Sequence, residues 1–247
     1  REDWIQTRET ELLPVPYFHV VFTLPEVLNK TALHEPKMLY DILFESAWET
    51  LQTFGKNKNL QMGMIAVLHT WGQNLSLHPH LHCIVPGGGV DENGAWKNIK
   101  NDGKFLFSVK ALSKVFRAKF CEKLKANLKD KFNENQENEY EKIRQSLWEK
   151  PWVVYAKKPF GSPKSVVEYL GRYTHKIAIS NGRIRGIDDK TVTFDYKDYR
   201  QKGIKKQMVL SHEEFIRRFA MHILPKRFVK IRHYGFLSST WKRIKLK

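Results

Sequence analysis

Cysteine is nearly absent: Cys83 and Cys121 are the only two in 247 residues, and no C-x-x-C occurs. A disulfide framework is thereby excluded. No apolar run approaches the ~20 residues needed to span a bilayer, and R-E-D-W-I-Q-T-R at the start has no signal-peptide pattern. The expected compartment is the cytoplasm, and a membrane is not an expected partner. An initiator Met is missing from position 1, as in a fragment of a longer protein, and there is no internal repeat or low-complexity linker. Acidic residues are the minority, 26 against 43 Lys and Arg, for a formal charge of +17. Such an excess calls for a polyanionic partner, nucleic acid before an acidic surface. Apolar residues, at 41%, suffice for a packed core, which excludes a disordered chain.

Period-two and period-3.6 patterns organise the chain. Y-F-H-V-V-F-T-L at 17–24 reads as a strand ended by Pro25, and 35–54 as an amphipathic helix. Strands follow at 61–71 and 77–85, the second stopped by Pro86 and three glycines. A basic helix at 108–128 and a solvated one at 130–150 precede a fourth core strand, W-V-V-Y-A at 152–156. A helix to about Thr174 comes next, then short β segments at 177–180, 183–187, 191–195 and 205–210. A last helix, 212–224, stops at Pro225 before a basic aromatic tail. This order predicts an α+β fold: an antiparallel central sheet of split β-α-β type, helices on one face, and a small C-terminal β/α extension. The expected divisions are an arm at 1–16, a main domain at 17–180 and the extension at 181–247. The third strand is expected at the centre of the sheet.

Val67 to Gly89, V-L-H-T-W-G-Q-N-L-S-L-H-P-H-L-H-C-I-V-P-G-G-G, concentrates metal-competent groups. On a strand His78, His80 and His82 share one face, with Leu81, Cys83 and Val85 on the other. A lone histidine is usually a hydrogen-bonded side chain, but two on a rigid strand with further ligand types upstream favour a metal site. Imidazole alone does not select the metal. A second constellation is S-V-V-E-Y-L-G-R-Y-T-H-K at 165–176. Tyr169 and Tyr173, four apart, project from nearly one helix face, with Arg172, His175 and Lys176 alongside. Alone, this segment reads as an amphipathic helix with tyrosines at its rim. Beside a metal-binding strand it fits a tyrosine nucleophile that attacks a metal-polarised phosphodiester.

At these residues the chain resembles the HUH single-strand nucleases, specifically two-tyrosine rolling-circle transposases of bacterial insertion sequences. The matching stretches are 69–89 and E-Y-L-G-R-Y-T-H-K-I-A-I-S-N at 168–181, flanked by 12–25 and 233–239. The resemblance implies an HUH/RRM-like fold and metal-dependent nicking and rejoining of single-stranded DNA through a 5′-phosphotyrosine. It implies a divalent ion, Mg2+ or Mn2+, on His80 and His82, with Tyr173 and Tyr169 as nucleophiles. Lys176 and Arg172 would stabilise the developing charge. Gln73, seven before His80, matches the third-ligand offset of replication initiators and ranks first; His69, eleven before, matches three-histidine relaxases and ranks second. His78, too far along the strand for the same ion, is assigned with His175 to DNA contact. So are Lys110, Lys114, Arg117, Lys119, Arg227, Lys230 and Arg232. The implied partner is single-stranded DNA, both transposon ends and target, in a bacterial cytoplasm, acted on by a monomer or homodimer. The family often carries a cysteine-rich zinc module before the first strand, and no cysteine precedes Tyr17. Two other readings stand beside this one: a non-catalytic single-stranded nucleic-acid binder, and a metallohydrolase acting on nucleic acid. The H-x-H-x-D-H motif of the latter finds no aspartate here.

Overall fold

The computed structural model describes residues 12–99, 106–129, 134–157, 160, 165–166, 171 and 178–238. Its centre is a five-stranded antiparallel sheet. The first strand, β1 (Tyr17–Thr23), is aromatic and β-branched, as strands prefer, and ends before Pro25. A short helix, α1 (Asn29–His34), leads into α2 (Pro36–Lys56), where Pro36 occupies the first turn and needs no amide partner. Then come β2 (Gly63–Trp71) and β3 (Leu77–Pro86). The glycines after Pro86 do not end the β structure. They carry the chain into a small hairpin of β4 (Gly88–Val90) and β5 (Trp96–Asn98).

Two helices follow, α3 (Val109–Lys129) and α4 (Glu134–Glu149), and then β6 (Val154–Lys157). The C-terminal part holds β7 (Ile184–Ile187), β8 (Thr191–Asp198), β9 (Ile204–Ser211), α5 (His212–Ala220) and β10 (Ile231–Gly235). Residues 178–180, expected as strand, carry no β structure. The expected strand at 191–195 runs on to Asp198, because β9 pairs with it as far as Asp198↔Ile204. The last helix ends at Ala220, short of Pro225, where His222 turns inward to a carbonyl of the β2–β3 turn.

The sheet order is β10-β2-β3-β1-β6, so the third strand is central, as its sequence position predicts. One face is the main core. Val20 and Phe22 of β1 and Leu81 and Cys83 of β3 pack there against Leu43 and Phe44 of α2 and Phe116 and Phe120 of α3. The opposite face carries Tyr17, Ile65, Val67 and Ile84, packed with Val166. A third cluster fills the small β7-β8-β9 sheet and α5, and it includes Leu75 from the β2–β3 turn. The basic tail supplies the edge strand β10, which pairs with β2 from Ile231↔Val67 to Gly235↔Gly63. Gly235, at φ +59, has no alternative: a Cβ there would collide with the Met62 carbonyl oxygen.

Candidate metal centre and nucleic-acid site

The antiparallel register of β2 and β3 sets His69 opposite His80 and Val67 opposite His82. Paired residues share a face, so all three imidazoles project from the side away from α2 and α3. The hairpin that fixes this register is tight. The Gly72 amide donates to the Ser76 carbonyl at 2.9 Å, and Asn74 Oδ1 accepts from the Ser76 amide and hydroxyl at 3.2 and 2.7 Å. One ligand nitrogen from each of His69, His80 and His82 lies within 4.8 Å of the others.

Hydrogen bonds orient the His80 and His82 rings. His80 Nδ1 lies 2.6 Å from the His78 carbonyl oxygen. A carbonyl only accepts, so Nδ1 carries the proton and Nε2 presents its lone pair. That Nε2 lies 3.1 Å from His82 Nε2. With its proton on Nε2, His82 donates to His80 across this distance; with its proton on Nδ1, both Nε2 lone pairs would be open to one cation. His82 Nδ1 in turn lies 2.7 Å from Nε2 of His19, whose ring stacks on it at 5.0 Å and 7°. With His82 Nε2 kept as a lone pair, Nδ1–H donates to His19, the orienting contact that metal-binding histidines make. His19 has no motif in the sequence; it is one polar residue in an apolar strand.

Burial keeps the group neutral. It lowers His19 and His80 to about 4 and His82 to about 2, the last with help from neighbouring His80, His19 and Lys157. His69 is also held well below the ordinary value, first by burial and then by the charges of His82, His80 and Lys230. Neutral imidazoles are the form that binds a cation. Two lysines bracket the cluster: Lys157 pairs in register with His19, and Lys230 Nζ lies 5.2 Å over the ring of Trp71, which stacks on His69.

The other expected residues are distributed more widely. Tyr169, Tyr173, Arg172, His175 and Lys176 lie outside the described residues. Gln73 sits in the hairpin turn and, with His78, lines a cleft of about 560 Å3 that the three histidines do not line. Lys110, Lys114, Arg117 and Lys119 stand on α3, which covers the other face of the sheet. Arg117 donates to the Trp148 and Lys150 carbonyls at 3.3 and 3.2 Å, and Lys119 lies 3.7 Å from Glu49. Arg232 pairs with Asp41 and lies 4.1 Å over the Phe44 ring, while Arg227 is exposed.

Comparison with known proteins gives a consistent family. Residues 63–244 match the family model Y2_Tnp, described as "Putative transposase". Over its whole length the chain is 43% identical to "Putative transposase y4qJ" of Sinorhizobium fredii (strain NBRC 101917 / NGR234), covering 64% of that protein. It is 29% identical, over 96% of its length, to the transposase for insertion sequence element IS801 of Pseudomonas savastanoi pv. phaseolicola, covering 58% of it. The chain therefore spans about three-fifths of these relatives. Among solved structures, the conjugative relaxase TrwC in complex with OriT DNA, in a metal-bound form, aligns with a TM-score of 0.32 and 14% identity, over 44% of this chain and 43% of that one.

Proposed function

The chain belongs to the Y2_Tnp transposase family, and on that premise we propose that it nicks and rejoins single-stranded DNA through a tyrosine, in rolling-circle transposition of a bacterial insertion sequence. The observation that carries this reading is the meeting of His69, His80 and His82 on the open face of the sheet. Three neutral imidazoles gathered within 4.8 Å suit one divalent cation. We assign His69 as the third ligand ahead of Gln73. A bound Mg2+ or Mn2+ would withdraw charge from a phosphodiester.

The chain's own residues do the rest. Phe160 donates its amide to the Tyr17 carbonyl at 2.8 Å, and Val166 is buried against Val67 and Ile84 on the histidine face. Ala178 is buried with Leu75, in the cluster that also takes Trp71. Tyr169 and Tyr173 fall between Val166 and Ala178 in the sequence. In the proposed step a tyrosine hydroxyl loses its proton and its oxygen bonds to phosphorus. The P–O3′ bond breaks, and the departing 3′-oxygen takes up a proton. The 5′-phosphotyrosine conserves the bond energy, and attack by a 3′-hydroxyl reverses the step. Lys157 and Lys230 favour the anionic phosphate, with Lys176 and Arg172 assigned to the phenolates. His19 holds the His82 ring.

The test incubates labelled single-stranded DNA with the protein and Mn2+ and denatures the product in detergent. A covalent adduct is expected with wild type. Tyr173→Phe should remove most first-strand adduct, Tyr169→Phe should spare cleavage but block transfer, and the double variant should bind DNA without adduct. Metal-dependent fragments without adduct would mean a hydrolase, and a non-covalent shift alone a binding module. In calorimetry His69→Ala should weaken Mn2+ binding more than Gln73→Ala; the opposite order would return Gln73 to the ligand set.

A further inference from the structure

The cleft beside the histidines differs in charge from the chain as a whole. It opens between the β2–β3 turn, the start of α1 and the end of β8, with a volume of about 560 Å3, within the range of small-molecule sites. It begins at His78, whose ring lies 5.2 Å from that of His80, so a group in it sits on the order of one nucleotide from the metal centre. In a chain of charge +17 its lining holds two carboxylates, Glu26 and Asp198, against one lysine, Lys197. Asp198 is already paired with Lys206 at 2.8 Å. A phosphate gains nothing here.

The remaining groups suit a base. Tyr199, 71% exposed, offers a stacking surface at the rim. Asn29 donates its amide nitrogen to the Leu77 carbonyl at 3.0 Å, which leaves its Oδ1 as an acceptor. Asn74 uses its Oδ1 on Ser76, which leaves its amide nitrogen as a donor. The Glu26 carboxylate adds a second acceptor, and carboxylates and amides are the groups that read exocyclic amines on cytosine and adenine.

We propose that this cleft receives the unpaired base next to the phosphate to be cut, stacks it on Tyr199, and prefers adenine or cytosine to thymine through the Glu26 and Asn29 acceptors. The proposal rests on the single-strand reading of the histidine face but concerns binding, which is measured apart from cleavage. The probes are fluorescent oligo-dA, oligo-dC and oligo-dT of equal length, titrated at fixed salt into the full chain. Wild type should bind dA and dC about tenfold more tightly than dT, the scale of one good base contact. Tyr199→Ala should weaken all three about tenfold, the scale of one stacked base. Glu26→Leu, which removes the acceptor at similar size, should reduce the dC and dA preference and leave dT unchanged. Irradiation of a 5-iodocytosine oligonucleotide should attach it to Tyr199 or to His78, as mapped by mass spectrometry. Equal affinity for the three probes in wild type, or crosslinks only outside the cleft, would overturn the base pocket while leaving the nicking reading intact. Failure to bind any probe would sink both, and adduct formation without base preference would sink the pocket alone.

Discussion

His222 shows at the scale of one residue how the fold uses a titratable group. Its Nε2–H donates to the Leu75 carbonyl at 3.1 Å, and its Nδ1 therefore accepts from the Thr70 hydroxyl at 3.2 Å. Burial lowers its pKa below the ordinary 6.5, against a smaller opposing effect of the Leu75 carbonyl. The folded state thus binds the proton less readily than the unfolded chain. The stabilising contribution of neutral His222 is complete above pH ~6.5 and is lost as pH falls from there through the lowered folded value. Urea midpoints of wild type and His222→Gln should accordingly differ most at pH 8 and converge toward pH 5. A gap that widens on acidification would mean that His222 is charged in the folded protein. A histidine in F-A-M-H-I-L carries no sign of this in the sequence, because both its partners are about 150 residues away.

Among elements, the β2–β3 hairpin is the one on which the site depends. Its turn is gripped by the C-terminal part: Arg183 donates to the Gln73 carbonyl, Arg218 to that of Asn74 at 3.2 Å, and His222 to that of Leu75. Leu75 itself is fully buried among Phe194, Ala178 and Ile179, yet it holds a left-handed φ of +61. For a leucine that conformation costs about 1–2 kcal/mol, which its burial offsets. Leu75→Ala should destabilise the protein by about 2–5 kcal/mol. Leu75→Gly should be no worse than Ala, reversing the usual order, because glycine adopts this φ freely. Urea denaturation of the two variants reads both effects, and a glycine variant clearly weaker than alanine would contradict the role given to the backbone. The same hairpin underlies the ligand ranking proposed above. Counting along the chain favours Gln73, whereas His69 and His80 stand symmetrically about Asn74–Leu75 and so meet across the strands.

For the whole molecule, the proposed single-strand reading requires a face on which a +17 chain would meet DNA. The lysines of α3 lie on the face of the sheet away from the histidines, while Lys157 and Lys230 flank them. Removing Lys110 and Lys114 together should weaken single-strand binding only modestly, with the log–log salt slope falling by about 0.7 for each phosphate no longer neutralised. At saturating protein, single-turnover cleavage should be unchanged in that variant and slowed in Lys157→Ala or Lys230→Ala. Slowed cleavage by the α3 variant at saturation would place the reaction on the other face. By itself the sequence determined the main core strands and helices, the antiparallel sheet with β3 at its centre, the shared face of His80 and His82, and the family. Those properties follow from periodicity, from strand alternation and from long contiguous motifs, all of which are local. Tertiary structure alone decided that His69 faces His80, that His19 holds His82, that the basic tail closes the sheet as β10, and that α3 turns its lysines away. The first depends on the register that the β2–β3 turn sets, and the others on which distant segments pair, which leaves no trace in the residues on either side.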